Sequence, residues 1–306
     1  MSRARAIVIA ALACACTRGY AAEAEGSGRQ TADGGRRTAD GGQPAAESAP
    51  RTAESARRTA DSGPRTADRP PGLARELPLA PGRTVYYALP REGGPVRLIG
   101  HIHGVCGGPP YACGKWLGAA TEVGAIVCPT GNTPCGDTAS WEAPSWQALV
   151  LEMDRDLEKS VGQVGAAHPG ALSRDDAILT GFSRGGFAVP EIARMHPGRW
   201  PLLAVIEANA PMHAPRLREA GVRKVALVAA EHGAERAGMT RTHEQLVAAR
   251  VPSRLFIMPR SSHLYPDDID AIMRRVLGFL TEASAEGTAA TDGGPFLRTS
   301  EPVGSR

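Results

Sequence analysis

Short apolar runs alternate with segments of helical periodicity between residues 73 and 282. The runs are four to seven residues long and mainly aliphatic, which is typical of buried parallel strands. From Ser145 onward, large apolar side chains recur at helical spacing with charges between them, which predicts a long amphipathic helix. Another helix is expected to begin near Asp267 and Asp268, whose carboxylates suit a first turn. The predicted strands cover residues 84–89, 96–102, 125–128, 177–180, 203–206, 225–228 and 255–258.

The alternation of strands and helices predicts an α/β fold. Strands that are joined by helix-length segments pair in parallel, so we expect a doubly wound, mostly parallel sheet with helices on both faces. Residues 73–282 would form this domain, and about 210 residues are enough to bury a substantial core. The formal net charge of +3 points to no particular class of partner.

The N-terminal segment has the composition of an export signal. Residues 1–5 are basic, and the eleven residues 6–16 are all apolar, a run too short for a transmembrane helix of about 20 residues. Residues 1–22 are therefore predicted to be a signal peptide, which implies a protein of the cell envelope, the periplasm or the medium. Cys14 and Cys16 each lie in a sequence similar to a lipoprotein cleavage box, so lipid anchoring in a membrane and simple release both remain open.

Two polar segments flank the predicted domain. Residues 23–72 carry a seven-residue repeat with eight arginines, eight carboxylates and no valine, leucine, isoleucine, methionine or aromatic residue. A coiled coil needs an apolar seam and a nucleic-acid-binding arm needs net positive charge, so the repeat fits neither. We expect it to be a disordered linker, and residues 283–306 to be a disordered tail.

Residues 181–185 read Gly-Phe-Ser-Arg-Gly and lie between a predicted strand and a helix-compatible segment. A serine at a sharp strand-to-helix turn has a strained backbone, which is tolerated where flanking glycines leave space beside it. The motif in this context resembles the nucleophile elbow of the α/β-hydrolases. The resemblance implies an α/β-hydrolase fold for residues 73–282 and identifies Ser183 as the nucleophile of an acyl-transfer reaction.

Two further loops resemble functional loops of α/β-hydrolases. Residues 100–109 are rich in glycine and follow a strand, like the His-Gly loop that helps to hold the oxyanion in this family. The resemblance implies that the backbone N–H groups of Arg184 and Val105 form the oxyanion hole. His263 follows the last predicted strand, which is where the family has its catalytic base.

The carboxylate partner of the histidine is harder to identify. In α/β-hydrolases an aspartate commonly follows the strand before the histidine strand, but residues 228–235 contain no aspartate and have Gly233 near the expected position. The candidates are three glutamates. Glu235 is preferred, ahead of Glu231 and then of Glu207, which lies at the end of the preceding strand. A dyad of serine and histidine without an acid remains an alternative.

Four cysteines lie in the predicted domain, at Cys106, Cys113, Cys128 and Cys135. The first two are seven residues apart, and so are the last two, whereas zinc and redox motifs require closer spacing. We therefore expect two disulfide bonds. Sequence alone cannot choose among the three possible pairings, and the local pairs Cys106–Cys113 and Cys128–Cys135 are the preferred interpretation.

One pair of histidines could bind a metal ion. His101 and His103 are two residues apart at the end of a predicted strand, where alternate residues share a face, but no third ligand accompanies them at a supporting spacing. We therefore predict no metal site and no cofactor, and His103 is interpreted as part of the loop scaffold.

The sequence thus predicts a serine hydrolase, and carboxylic esters are the favoured substrates by analogy of fold. Only about fifteen residues separate the predicted strand that ends near Asn209 from the one that starts near Lys224, which leaves little room for a lid. An open cleft would suit small esters or the ends of ester polymers. Two alternatives remain, a catalytically silent binding protein of the envelope and a peptidase of the same fold. No nucleic-acid partner is expected, and the oligomeric state is open.

Overall fold

One eight-stranded sheet runs through residues 73–91 and 94–283, the parts of the chain that the computed structural model describes. Its strands are β1 (Arg75–Ala80), β2 (Arg83–Ala88), β3 (Val96–Ile102), β4 (Ala125–Pro129), β7 (Leu172–Phe182), β8 (Leu202–Ile206), β9 (Lys224–Ala230) and β10 (Ser253–Met258). A separate hairpin consists of β5 (Thr133–Cys135) and β6 (Thr138–Ser140). The sheet order is β1-β2-β4-β3-β7-β8-β9-β10, with six parallel strands from β4 to β10 and antiparallel pairing of β2 with both of its neighbours.

Helices cover both faces of the sheet. They are α1 (Pro109–Ala112), α2 (Leu117–Val123), α3 (Trp146–Ala167), α4 (Arg184–Met195), α5 (Ala214–Glu219), α6 (Arg236–Ala248) and α7 (Ile269–Thr281). One apolar cluster contains side chains of α3, α4, α5 and α6, and a second contains side chains of α2 and α7. Along β8, Leu203 and Val205 belong to the first cluster, whereas Leu202, Ala204 and Ile206 belong to the second, because successive strand residues point to opposite faces. The predicted doubly wound α/β sheet is confirmed.

The predicted strands are all present, and both predicted helices begin close to the expected residues. Ser145 caps α3, since its hydroxyl accepts a hydrogen bond of 3.2 Å from the N–H of Ala148. The apolar pattern did not indicate β1 or the β5–β6 hairpin. Strand β1 contains Pro78 and pairs only with β2 at the sheet edge, where a residue without an N–H group is tolerated.

The carboxyl ends of β3, β7, β8, β9 and β10 lie along one edge of the sheet, because these strands are parallel neighbours. In open parallel sheets the loops at this edge form the binding crevice. Here those loops carry the candidate residues near positions 103–106, 183, 207, 231–235 and 263. The fold therefore gathers all of the candidates at one edge.

The predicted signal peptide (residues 1–22), the predicted linker (residues 23–72) and nearly all of the predicted tail (residues 283–306) lie outside the described residues. Within the described ranges, every helix is too short or too polar to cross a membrane.

Candidate active site

Ser183 sits in a sharp turn between β7 and α4. Its backbone angles are φ 52° and ψ −120°, and its N–H donates to the carbonyl of Ile206 at 2.8 Å. Glycine is needed on both sides, because a Cβ on Gly181 would collide with the carbonyl of Gly185, and a Cβ on Gly185 would collide with the carbonyl of Ile102. The strand, the strained serine and the helix thus have the geometry of a nucleophile elbow.

His263 lies between Ser183 and a carboxylate. Its Nε2 is 2.8 Å from the Oγ of Ser183, and its Nδ1 is 3.0 Å from Oε2 of Glu207. A carboxylate oxygen only accepts hydrogen bonds, so Nδ1 carries the proton and Nε2 is left as an acceptor for the serine hydroxyl. This is the tautomer that a general base requires.

Glu207 is held rigidly in the protein interior. It directly follows β8, has a left-handed backbone angle of φ 51°, and its side chain is fully buried. Its Oε1 accepts a hydrogen bond from the N–H of Ala230, while Oε2 contacts His263. A buried carboxylate needs such partners, and here they leave one orientation for the side chain.

The preferred carboxylates do not contact His263. Oε2 of Glu235 accepts from the N–H of Asn209 at 3.1 Å, and Oε2 of Glu231 accepts from the N–H of Arg260 at 2.8 Å. The hydrogen bond from Arg260 lowers the pKa of the Glu231 carboxyl. The structure therefore contradicts the preference for Glu235, and then Glu231, as the partner of His263.

Gly233 explains why the usual position has no acid. A Cβ on this residue would lie 2.7 Å from Oε2 and 2.9 Å from Oε1 of Glu207. The space beside His263 that a carboxylate after β9 would enter is thus occupied by the carboxylate that follows β8. Gly233 stood out in the sequence as the replacement for the expected aspartate, but no local signal indicated which glutamate fills the space.

The loop after β3 passes directly beside Ser183. A Cβ on Gly104 would lie 2.9 Å from the Cβ of Ser183, so only glycine allows this close approach. Val105 follows in the loop with 48% of its surface exposed, and Arg184 is the first residue of α4. The side chain of Arg184 turns aside and donates to the carbonyl of Trp141 at 2.6 Å. Both predicted oxyanion donors therefore belong to backbone that adjoins the serine.

His103 holds this loop in place. Its ring spans two backbone groups, with Nδ1 2.7 Å from the carbonyl of Gly104 and Nε2 accepting from the N–H of Gly131 at 2.8 Å. Burial lowers the pKa of His103 to about 4, so the ring is neutral and can accept at Nε2. The interpretation of His103 as part of the loop scaffold agrees with these contacts.

His101 is buried beneath the loop. Its Nδ1 is 2.7 Å from Oγ1 of Thr180, which itself donates to the carbonyl of Gly100. Burial, with His103 nearby, lowers the pKa of His101 to about 3. Among the described residues no group of three histidine, cysteine, aspartate or glutamate side chains could hold a metal ion.

The four cysteines form two disulfide bonds, as predicted, but the local pairing is wrong. The bonds are Cys106–Cys135 and Cys113–Cys128, not Cys106–Cys113 and Cys128–Cys135. The β5–β6 hairpin folds back onto the loop after β3, where the hydroxyl of Thr138 donates to the carbonyl of Cys106 at 3.0 Å. The hairpin had no clear sequence signal, and it is this element that brings Cys135 to Cys106.

No protein-family model matches the sequence, and comparison with curated proteins finds no match. Solved structures do match. The esterase Est22 aligns with a TM-score of 0.51 at 12% identity, over 69% of this chain and 80% of that one. An esterase from Pyrobaculum calidifontis aligns with a TM-score of 0.50 at 13% identity, over 70% of this chain and 86% of that one. At these identities the likeness concerns the fold, and the chain has the α/β-hydrolase fold.

Proposed function

We propose that this protein is a serine hydrolase that cleaves carboxylic esters through an acyl-enzyme intermediate. The observation that carries the proposal is the hydrogen-bonded series from the Oγ of Ser183 through His263 to Glu207. Ser183 keeps a strained backbone conformation to present this hydroxyl, and such strain persists at positions where function requires it. In this proposal Glu207 takes the role first assigned to Glu235.

Acylation begins when Oγ of Ser183 attacks the ester carbonyl carbon. The hydroxyl proton passes to Nε2 of His263, and the positive imidazolium is stabilised by the buried carboxylate of Glu207. The carbonyl oxygen becomes a tetrahedral oxyanion. When this intermediate collapses, the bond to the alkoxide oxygen breaks, and His263 returns the proton to the departing alcohol.

Deacylation repeats the same proton transfers with water. His263, again neutral, takes a proton from a water molecule as its oxygen attacks the acyl carbon of the ester with Ser183. Collapse of the second tetrahedral intermediate releases the carboxylic acid and returns the proton to Oγ of Ser183.

The oxyanion would be held by the backbone N–H groups of Arg184 and Val105. The close packing of Gly104 on Ser183 supports this role for the loop, since it brings loop backbone within reach of a carbonyl bound at Oγ. His103 and the Cys106–Cys135 bond support it further, because they fix the loop on both sides of Val105. Such pre-orientation makes donors effective in the transition state.

Accessible ester groups are the proposed substrates, either small esters or the ends of ester polymers. The side chain of His263 is 53% exposed, and the connection between β8 and β9 contains only the six-residue helix α5. An open site of this kind suits a substrate that does not need a deep tunnel for a long acyl chain. The two solved structures named above are esterases by name, which supports an ester over an amide.

Action outside the cytoplasm is part of the proposal. Two disulfide bonds in the described part of the chain suit an oxidising compartment. Export by the signal peptide, with or without lipid anchoring at Cys14 or Cys16, would deliver the enzyme there.

Covalent labelling with a fluorophosphonate probe tests the proposed function. The parent protein should be labelled at Ser183 and should hydrolyse a short-chain nitrophenyl ester, whereas Ser183→Ala should lose both properties and keep its fold. Ser173→Ala, at the opposite end of β7, is the matched control and should keep both. An unlabelled parent protein would favour the silent binding protein. Ester turnover in pure Ser183→Ala above a few per cent of the parent would refute Ser183 as the nucleophile.

A further inference from the structure

His263 stands on an exposed arch of the chain. Ser262, His263 and Leu264 are all exposed, and 63% of the surface of Leu264 is accessible. The residues on either side, Ser261 and Tyr265, are buried. The side chain of His263 contacts Glu207 and Phe182, but the backbone of this exposed arch depends on its two buried ends for its position.

The first end of the arch is held by the loop after β9. The N–H of His232 donates to the carbonyl of Ser261 at 2.8 Å, and Glu231 accepts from the N–H of Arg260. The hydroxyl of Ser261 also donates across the arch to the carbonyl of Leu264. These contacts hold the backbone that precedes His263, but they do not include Tyr265 at the other end of the arch.

The second end of the arch is held by Tyr111, a residue 154 positions away in the sequence. The N–H of Tyr265 donates to the phenolic oxygen of Tyr111 at 2.8 Å. The two rings also stack, with centroids 5.2 Å apart and planes 19° apart. Tyr111 thus satisfies a backbone donor of the histidine loop and packs on the side chain of the same residue.

The same aromatic group reaches the nucleophile. Phe182 directly precedes Ser183, and its ring centroid is 4.8 Å from that of Tyr265 and 5.3 Å from that of His263. Tyr111 contacts Phe182 edge to face at 6.5 Å. The rings of Tyr111, Phe182 and Tyr265 therefore form a common support beneath the serine and the histidine.

Tyr111 can act as a support because its own backbone is clamped. It lies in α1, a helix of four residues, which is far too short to be stable alone. Cys113 follows two residues later and is bonded to Cys128 in β4, while Cys106 on the other side is bonded to Cys135. The two disulfides hold this turn against the sheet and the hairpin.

We propose that Tyr111 is a positioning residue for His263. Through its hydrogen bond and stacking contact with Tyr265 it fixes the far end of the histidine arch, and so it holds Nε2 at hydrogen-bonding distance from Ser183. This inference rests on the proposed function, since it assigns Tyr111 a role only in a reaction that uses His263. Displacement of a catalytic group by about 1 Å can cost up to a hundredfold in rate, so a lost anchor should be measurable.

Tyr111→Phe is the test, because it removes the phenolic oxygen and keeps the ring. We expect kcat for a short-chain nitrophenyl ester to fall about tenfold, with KM unchanged within about twofold. The control is Tyr86→Phe, since Tyr86 packs against the same apolar cluster and is also a tyrosine near the Cys113 turn. Tyr86→Phe should keep kcat within about twofold of the parent. Equal kcat values for the two variants would overturn the proposal.

A second measurement separates positioning from general damage. If Tyr111 acts through His263, then Tyr111→Phe should have no further effect on the residual turnover of His263→Ala. A tenfold loss in that background as well would overturn the proposal. The failure of the proposed function is distinct, because Ser183→Ala would then keep its turnover, whereas failure of this inference alone leaves Ser183→Ala inactive and Tyr111→Phe normal.

Discussion

The carboxyl ends of β8 and β9 lie side by side at the sheet edge that carries Ser183 and His263, and they contribute to the surroundings of His263 in opposite ways. After β8 comes Glu207, fully buried and in contact with His263. After β9 come two glutamates that bond to backbone elsewhere, and between them Gly233, whose missing side chain leaves room for the Glu207 carboxylate. One strand end supplies the charge and its neighbour supplies the space.

The contrast shows that the register between strands decides which carboxylate contacts His263. Ile206 of β8 pairs with Val228 of β9, so the next residue, Glu207, lies beside the last residues of β9. Its carboxylate can therefore accept a hydrogen bond from the N–H of Ala230. Glu231 and Glu235 follow β9, and their carboxylates accept from the N–H groups of Arg260 and Asn209 instead of contacting His263. A carboxylate that is near in sequence to the expected position can therefore be further away in space than one from the preceding strand.

Glu207→Gln should give the largest effect. An amide keeps the shape but does not stabilise the imidazolium, so we expect turnover of a nitrophenyl ester to fall by about three to four powers of ten, with little change in KM. Steady-state kinetics of the pure variant provide the measurement. A loss of less than about tenfold would mean that Ser183 and His263 work as a dyad.

Gly233→Ala should weaken the contact between Glu207 and His263 by filling the space beside the Glu207 carboxylate. The new Cβ would lie within 3 Å of both Glu207 oxygens, so the carboxylate must shift from His263, and we expect turnover to fall about tenfold to a hundredfold. Gly162→Ala is the matched control, because a Cβ at Gly162 in α3 meets no atom within 4 Å. Normal turnover in Gly233→Ala would show that the space beside Glu207 is not needed.

His101 lies near the same sheet edge, and its ring is hydrogen-bonded to Thr180 and not to a carboxylate. It should make the free energy of unfolding fall at acidic pH. Burial lowers its pKa from 6.5 to about 3, so between these values the unfolded chain binds a proton that the folded protein does not. Stability is therefore lost as pH falls below about 6.5, by up to about 1.4 kcal/mol per pH unit, or tenfold in the unfolding constant. Denaturant unfolding at pH 6.5 and 5 measures this slope.

His101→Asn should reduce the dependence of unfolding free energy on pH. His103 would still contribute in the same direction, because burial lowers its pKa to about 4. If the unfolding free energy of His101→Asn changed with pH as steeply as that of the parent, His101 would not be a source of the acid sensitivity.

Glu235→Gln and Glu231→Gln should give the smallest effects. Each glutamate accepts from a backbone N–H, and a glutamine carbonyl oxygen can accept the same bond, so turnover should stay within about threefold of the parent. The same kinetic assay compares both with Glu207→Gln. A loss of a thousandfold in either variant would transfer the role of the acid to the end of β9.

Local patterns were enough to predict the strand-to-helix turn at Ser183 and the loop that carries His263. Gly181, Ser183 and Gly185 lie within five consecutive residues. The strand before them and the helix after them can both be predicted from the spacing of their apolar residues. His263 lies in the loop that follows the last strand. Both inferences need only the order of elements along the chain, which apolar periodicity reports well.

The carboxylate partner of His263 and the disulfide pairing depend on contacts that the sequence order does not report. Glu207 reaches His263 across the parallel register of β8 and β9, which no residue pattern encodes. Cys135 reaches Cys106 only because two three-residue strands form a hairpin, and strands so short carry no period. In both cases the preferred candidates were the nearest ones along the chain.

The two disulfide bonds are nested, and this affects the unfolded chain. Cys113–Cys128 closes a loop of 15 residues inside the loop of 29 residues that Cys106–Cys135 closes. Once the inner bond exists, each outer cysteine lies seven positions from an inner one, so the outer bond closes only about 14 further positions of free chain. Even when the sheet is lost, residues 106–135 therefore remain a double ring, and the segment beside Ser183 begins refolding with much of its conformational entropy already removed.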